Sequence, residues 1–371
     1  MTNDTRFMDK AIALAERGRG KTAPNPCVGA VLVRDGRVVA QGWHTACGKA
    51  HAEVEALRDA ATKGVDPAEC TLYVTLEPCN HHGKTPPCTQ AILAAGIKTV
   101  VIGCLDPNQS VTGGGKEFLE GRGVHVRAGI RRQACTDLIA DFRIWQDTDR
   151  PFSIVKLAVT LDGKIATRTG HSAWISGERS RAEVHKLRAW CGAVMIGGAT
   201  YRADNPRLTC RMDGHVGPQP LAVVVSRTLP DEQHQSALLA TRPGDVVFWT
   251  TEAESRSRRA TCLADLGVSV WGLPGRDDGL DLTEGMRLLR REKGCLYVLA
   301  EGGGYLAASL RAQGLLDELR LFQAMKILGD EQARSGFAGH VAMTMDDAWN
   351  FRLVEHRMIG QDHYLRLRPK E

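Results

Sequence analysis

Three residues of two ligating types, with a carboxylate beside them, could bind a metal and activate water. His51 stands two residues before Glu53, Cys79 follows Glu77-Pro78, and Cys88 lies nine residues beyond Cys79. Zinc favours thiolate and imidazole ligands, and a catalytic zinc keeps three protein ligands so that water can take the fourth position. His51, Cys79 and Cys88 supply that set, so one Zn2+ per chain is expected. Zinc lowers the pKa of its water from ~16 toward ~7, and a nearby carboxylate can take the proton and return it to a leaving amine. Glu53 is the candidate catalytic shuttle, close to the imidazole without being a ligand. The competing arrangements are a closed structural zinc with His81 or His82 as fourth ligand, or no metal at all.

The elements that must position these groups follow from period and punctuation. Phe7, Ala11, Leu14 and Ala15 share one face of a helix over 7–15. Runs 28–33 and 37–41 are β-rich around Asp35-Gly36, whose tolerance of positive φ suits a two-residue hairpin turn. A helix is predicted over 51–63, a strand over 71–76, a helix over 89–95 before Gly96, and a short strand over 98–102. His51 and Glu53 therefore open a helix. Cys79 and Cys88 lie near helix starts, where partial positive charge favours a thiolate. One helix is predicted over 131–147, and the polar stretch Thr148-Asp149-Arg150-Pro151 then marks a boundary. Beyond it, strands are predicted at 152–158, 193–196, 221–225, 245–249, 268–273 and 296–300, and helices at 179–189, 255–266, 282–292 and 305–312. Alternation of this kind predicts an α/β sheet covered by helices in each half.

Length and composition bound the alternatives. The chain has 371 residues, about two domains at a usual ~150 residues each. With 43% hydrophobic and 25% charged residues it is an ordinary globular composition. A net charge of +5 is too slight to imply a nucleic-acid partner. Arg256, Arg258, Arg259, Arg287, Arg290, Arg291 and Lys293 are mixed with Glu254 and Glu292, the pattern of a solvated face. No stretch approaches the ~20 apolar residues of a membrane span, and the first residues are acidic where a signal peptide is basic and then apolar. A cytoplasmic protein is expected. Of the eleven cysteines, an odd number, most are then expected to be reduced thiols.

In the second half, Glu301-Gly302-Gly303-Gly304-Tyr305-Leu306-Ala307 follows an apolar strand and opens a helix, so backbone amides could approach a pyrophosphate. Gly302, Gly304 and Ala307 fit G-x-G-x-x-A, but a Rossmann fingerprint belongs on the first strand of its domain and this one lies roughly 70 residues from the C-terminus. A different topology is expected. The strand over 221–225 ends in Ser226-Arg227, with no acidic residue; hydroxyl and guanidinium favour the 2′-phosphate of NADPH over the free ribose of NADH.

Several runs closely resemble one family: Ala23-Pro24-Asn25-Pro26-Cys27-Val28-Gly29, His51-Ala52-Glu53, Leu76-Glu77-Pro78-Cys79 through Cys88, Lys156-Leu157-Ala158-Val159-Thr160-Leu161-Asp162-Gly163-Lys164-Ile165-Ala166, Ala203-Asp204-Asn205-Pro206 and Glu301-Gly302-Gly303-Gly304. In order and in both halves, these resemble the bifunctional riboflavin-biosynthesis deaminase/reductases. Zinc nucleobase deaminases share the H-x-E and P-C signature with a usual gap of two residues between the cysteines. The gap of eight here is that family's form. This chain departs from many relatives in having Gly303-Gly304 where they carry Gly-Pro.

The resemblance implies an N-terminal cytidine-deaminase-like α/β/α domain over 1–147 and a dihydrofolate-reductase-like α/β domain over 148–371. It implies zinc-dependent deamination of 2,5-diamino-6-(5-phosphoribosylamino)pyrimidin-4(3H)-one, then NADPH reduction of the ribosyl group of the resulting uracil to ribityl. Asn25, His44, His81 and Lys84 would hold the pyrimidine phosphate. Ala158, Trp174, Thr200, Asp204, Ser226, Gly303, Gly304, Tyr305, Leu306, Ala307, Ala308 and Ser309 would contact NADP. Ser172, Arg188, Leu208, Arg211 and Glu301 would hold the sugar phosphate, the two arginines by forked hydrogen bonds. Lys156 and Asp162 receive no role, and Lys156 could face the deaminase site. Expected partners are small-molecule pyrimidine ribosyl phosphates, with no nucleic acid and no membrane; homo-oligomerisation stays open. The rival readings are a nucleic-acid editing deaminase with a C-terminal binding domain, and a zinc-stabilised binding module.

Overall fold

Asp35 and Gly36 take φ angles of 50° and 69°, the turn geometry whose twist matches that of paired strands. The hairpin they close belongs to the first of two compact units, Met1–Thr148 and Asp149–Glu371. The computed structural model describes residues 3–81, 86–107, 114–231, 236–277 and 279–370.

The first unit runs α1 (Asn3–Ala15), β1 (Gly29–Arg34), β2 (Arg37–Trp43), α2 (Ala52–Thr62), β3 (Thr71–Leu76), α3 (Cys88–Ala94), β4 (Thr99–Cys104), α4 (Gly115–Glu120), β5 (His125–Ala128), α5 (Arg132–Leu138) and α6 (Ala140–Asp147). Its sheet has the order β2-β1-β3-β4-β5, antiparallel at the hairpin end and parallel from β3 onward. Helices press on the sheet backbone to backbone through two glycines. A Cβ on Gly29 would lie 2.0 Å from the Ala11 carbonyl oxygen in α1, and one on Gly42 would lie 2.3 Å from the Ala56 nitrogen in α2. The close seat of α2 fixes where His51 and Glu53 stand.

The expected single helix over 131–147 is two helices. The chain breaks at Ile139, where φ is −106°. Arg19 explains the break: its guanidinium donates to the Leu138 carbonyl at 3.4 Å and lies 3.5 Å from the buried Asp141 carboxylate. A continuous helix would claim that carbonyl for itself.

The second unit runs β6 (Phe152–Val159), β7 (Lys164–Ala166), α7 (Glu178–Trp190), β8 (Ala193–Gly197), α8 (Gly198–Asp204), β9 (Leu221–Val225), α9 (Ala237–Thr241), β10 (Val246–Thr251), α10 (Arg258–Asp265), β11 (Ser269–Leu273), β12 (Gly275–Arg276), β13 (Gly279–Leu280), α11 (Leu282–Lys293), β14 (Tyr297–Glu301), α12 (Gly304–Ala312), β15 (Glu318–Gln323), β16 (Arg334–Ser335), β17 (Phe351–Ile359) and β18 (Asp362–Pro369). Nine strands form one sheet in the order β11-β10-β9-β8-β14-β6-β15-β18-β17. Strands from β11 to β15 are parallel, and β18 and β17 return antiparallel. The glycine turn follows β14 in mid-sheet, so the topology is not that of a Rossmann domain.

No strand was expected beyond 312, yet β15, β17 and β18 complete the sheet. Along β18 the buried positions are Asp362, Tyr364, Arg366 and Arg368. Its most deeply buried face is therefore polar, meeting Glu318 and Arg320 of β15, while Leu365 and Leu367, which alternate with the arginines, are only half-buried, the reverse of the usual inward apolar face. The basic run of α10 and α11 is a solvated, ion-paired face: Arg259 lies 3.4 Å from Glu254, Arg287 3.1 Å from Asp149 and Arg291 2.8 Å from Glu292. Among the described residues no helix is long and apolar enough to cross a membrane.

One ion pair ties the starts of two neighbouring central strands. Arg150, just before β6, forks onto Asp317, just before β15, at 2.7 and 2.8 Å, and Asp317 also accepts the Ser153 amide at 2.8 Å. Both side chains are about nine-tenths buried. Removing the carboxylate leaves a buried guanidinium without its counter-ion, a loss of about 3–5 kcal/mol. Asp317→Ala is therefore expected to lower the denaturant midpoint of the second unit by a corresponding amount, whereas the first unit unfolds as in wild type.

Candidate active sites

His51 is the cap residue of α2, with extended backbone (φ −73°, ψ 165°), and Glu53 occupies the first turn. Cys79 leaves β3, and Cys88 is the first residue of α3. Their ligand atoms all lie within 4.8 Å of one another. His51 Nδ1 is 3.3 Å from Cys88 Sγ and 3.6 Å from Cys79 Sγ. Cys79 Sγ also accepts the Cys88 amide at 3.4 Å, a bond available because the first amides of a helix have no partner inside it. The Cys88 thiol and then His51 stabilise the Cys79 thiolate and hold its pKa down, while the same contact with Cys79 pushes Cys88 up. Hydrogen bonding to Cys79 raises His51. A thiolate, a second thiol and an imidazole converging without a fourth described ligand fit a three-ligand zinc site. His81 is exposed on the cavity wall and outside this set; His82 and Lys84 lie outside the described residues.

Glu53 is almost fully buried. Burial first, and then the negative Cys79, push its carboxyl up to about 7. It lines a cavity of about 410 Å³ together with Asn25, His44, His51, Cys79 and His81. His44 is buried, and burial lowers its pKa, so the ring is neutral. Its Nδ1 donates to the Ala50 carbonyl at 3.0 Å, which leaves Nε2 to accept the Asn25 amide at 3.2 Å. Asn25 therefore has its carbonyl oxygen available to a donor in the cavity. Glu77, noticed in the sequence only as part of the motif, accepts the amides of Asp106 at 3.0 Å and Lys116 at 2.8 Å. It fixes the chain that delivers Cys79.

The second site lies where β14, β6 and β8 end. Glu301 and Lys156 are register partners across β14 and β6. Arg188 of α7 forks onto Glu301 at 2.6 and 2.8 Å and gives a third bond to the Thr209 carbonyl at 3.0 Å. The fork expected for a phosphate is thus occupied by Glu301. Lys156 belongs with this group, where burial lowers its ammonium and Glu301 partly restores it. Arg211 is lowered by burial and then by the nearby charges of Arg188 and Arg207; Arg207 and Arg211 are both exposed. His185, lowered by burial and by Arg188, accepts the Arg211 amide at 3.2 Å. Sequence reading missed Arg207 and His185, although Arg207 directly follows the quoted Asn205-Pro206. Asp162 closes a loop instead: it accepts Thr160 Oγ1 and the amides of Leu328 and Gly329.

Of the residues expected at the cofactor, Thr200 and the glycine turn meet. Gly302 has φ 99°, and a Cβ there would lie 2.9 Å from Thr200 Oγ1. This is a bare backbone cradle at the carboxyl ends of adjacent parallel strands, where open α/β sheets bind nucleotides, and it fits a dinucleotide. Gly303 caps α12. Leu306 and Ala307 point into the core under the sheet and Ala308 is buried, so any cofactor contact from them is through backbone; Tyr305 is exposed and Ser309 half-buried. Trp174 is 67% exposed, with Arg181 stacked over its ring at 4.5 Å. Ser172 and Asp204 are exposed, Ala158 half-buried, and Leu208 is buried with φ 51°.

Residues 1–104 match the cytidine and deoxycytidylate deaminase zinc-binding region, and residues 151–365 match the RibD C-terminal domain. Riboflavin biosynthesis protein RibD of Bacillus amyloliquefaciens is 38% identical over 98% of this chain and 96% of its own length. The chain belongs to the RibD family. The Synechocystis RibD is 40% identical over 98% of this chain and 95% of its own. Among solved structures, a Thermotoga maritima diaminohydroxyphosphoribosylaminopyrimidine deaminase/5-amino-6-(5-phosphoribosylamino)uracil reductase has TM-score 0.76 at 34% identity, covering 99% of each chain. Acinetobacter baumannii RibD has TM-score 0.74 at 34% identity, covering 100% of this chain and 99% of its own. This RibD-family chain is a bifunctional riboflavin-biosynthesis enzyme, a zinc-binding, cytidine-deaminase-like domain followed by an NADPH-dependent, dihydrofolate-reductase-like domain. Full-length RibD likeness favours this reading over a nucleic-acid editing deaminase.

The Glu301 pair gives a pH dependence of known sign. Burial pushes the Glu301 carboxyl up, but Arg188 and then Lys156 more than cancel this, so it sits below its ordinary value of 4.5. A depressed carboxyl contributes stability that is fully present above its ordinary value and is lost as pH falls through the folded value. Unfolding measured from about pH 6 down to 3 is expected to show a steeper acid loss for wild type than for Glu301→Gln, which in turn is less stable than wild type at neutral pH.

Proposed function

We propose that the first unit removes the 2-amino group of 2,5-diamino-6-(5-phosphoribosylamino)pyrimidin-4(3H)-one as ammonia, and that the second reduces the ribosyl group of 5-amino-6-(5-phosphoribosylamino)uracil to ribityl with NADPH. The observation that carries the first assignment is Glu53, a buried carboxyl tuned near neutrality beside a three-ligand metal set. Zinc held by His51, Cys79 and Cys88 would supply Lewis-acid activation of water. Glu53 then holds and releases a proton at its carboxyl, which near pH 7 exchanges easily in both directions. Asn25 and neutral His44 form a fixed pair on the cavity wall to orient the pyrimidine. His81 lines the same cavity, and Lys84 is proposed as a point charge for the phosphate.

In the second unit the Glu301–Arg188 pair forms a rigid wall beside Lys156. Arg211, with Arg207, is proposed to take the sugar phosphate, and Ser172 and Leu208 to border it. Ala158, Trp174, Thr200, Asp204 and the turn at Gly303-Gly304 are proposed to hold the nicotinamide cofactor. The enzyme is proposed to work in the cytoplasm on small molecules.

Two variants test the division of labour. Glu53→Gln is expected to retain one zinc per chain and to lose ammonia release by about 10²–10⁴-fold, the usual contribution of a general acid–base; undiminished release would overturn the assignment. Cys79→Ser is expected to lose zinc and ammonia release together while NADPH oxidation on the deaminated intermediate survives. Loss of both reactions with the fold intact would argue against two separable sites.

A further inference from the structure

The strand end at Ser226 suggests a pair, Ser226 and Arg227, for the cofactor's 2′-phosphate. The geometry assigns the hydroxyl a different task. Ser226 Oγ donates its single proton to the Thr228 carbonyl at 2.7 Å, which leaves it only as an acceptor. What it accepts is Nη1 of Arg202, at 3.4 Å. Arg202 belongs to α8, which begins directly after β8, the strand beside β9. Gly198 allows the approach: a Cβ there would lie 2.4 Å from Ser226 Oγ and 3.2 Å from Arg202 Nη1. Any side chain at 198 would part the helix from the strand end.

Arg202 is exposed, and its contact with Ser226 is long for a charged donor. Among the described residues it makes no ion pair. It is thus a guanidinium held at one corner by a neutral oxygen, with most of its donors open. Arg227 contributes its carbonyl, which accepts Thr250 Oγ1 at 3.2 Å. The carboxyl ends of β8 and β9 are adjacent to the glycine cradle of β14 through β8, the edge along which an extended dinucleotide lies in an open α/β sheet.

We propose that Arg202 binds the 2′-phosphate of NADPH and sets the preference for NADPH over NADH, with Ser226 as its positioning residue. The proposal rests on NADPH being the reductant of the second unit. A guanidinium can fork onto a phosphate dianion, and a neutral ribose hydroxyl gains far less from it. In this arrangement the phosphate is assigned to Arg202, which Ser226 holds, and not to Arg227.

Equilibrium binding of NADPH, NADH and adenosine 2′,5′-bisphosphate to the full chain tests it without turnover. Arg202→Ala is expected to weaken NADPH and the bisphosphate by roughly 10- to 100-fold, the range of one or two charge-assisted hydrogen bonds, and to leave NADH unchanged. Arg202→Lys keeps the charge without the fork and falls between. Ser226→Ala weakens NADPH less than Arg202→Ala does, and Arg227→Ala binds as wild type. A circular dichroism spectrum and a cooperative unfolding transition of the second unit, both as in wild type, report an intact fold in each of the four variants. An NADPH preference that survives in Arg202→Ala overturns the proposal, as does its loss in Arg227→Ala alone. A wild-type protein that binds NADH as tightly as NADPH would instead overturn the NADPH reading itself.

Discussion

Both candidate sites depend on the unsatisfied ends of secondary structure. The first amides of a helix have no partner within it, and the carboxyl ends of parallel strands open onto loops that can carry varied side chains. In the first unit, α2 begins at the imidazole and α3 at a thiol, and a helix amide is bonded to the other thiolate. In the second, α12 and α8 begin at glycines that follow β14 and β8. Each unit thus places polar chemistry where backbone donors would otherwise remain open, and the close packing of helix on sheet makes the placement rigid.

Burial then sets the protonation states. Glu53 is pushed up because burial and the negative Cys79 outweigh the pull of His51, whereas Glu301, also buried, is pulled down by Arg188 and Lys156. The contrast suits their surroundings: one carboxyl exchanges protons near neutrality, and the other is ionised at neutral pH and keeps a guanidinium in place. A third buried cluster, Glu318 with Arg320 and Arg368, joins β15 to β18, and Arg368 also lies over the Phe152 ring of β6 at 5.5 Å.

The eleven cysteines separate on the same grounds. All eleven are free thiols. Cys79 and Cys88 converge on His51. Others are buried thiols held protonated by desolvation, with Cys27 and Cys295 pushed up to about 11 and Cys104 to about 12. Such groups pack as small apolar side chains and are poor nucleophiles.

Local chemistry was legible in the sequence wherever a few adjacent residues determine it. The Asp35-Gly36 turn, the strand over 221–225, the H-x-E helix start and the strand-to-glycine turn at 301–304 each follow from backbone preference or period-specific burial, and each stands where the sequence places it. Four features depended on distant partners. Arg19 divides residues 131–147 into two helices, Glu318 and Arg320 bury the charged face of β18, Glu301 occupies the fork of Arg188, and Ser226 gives its proton to the Thr228 carbonyl and accepts Arg202. The first three share one physical reason. A charged side chain in a sequence reads as solvated, and only a partner brought in from far along the chain, at hydrogen-bond distance and out of water, changes what it does.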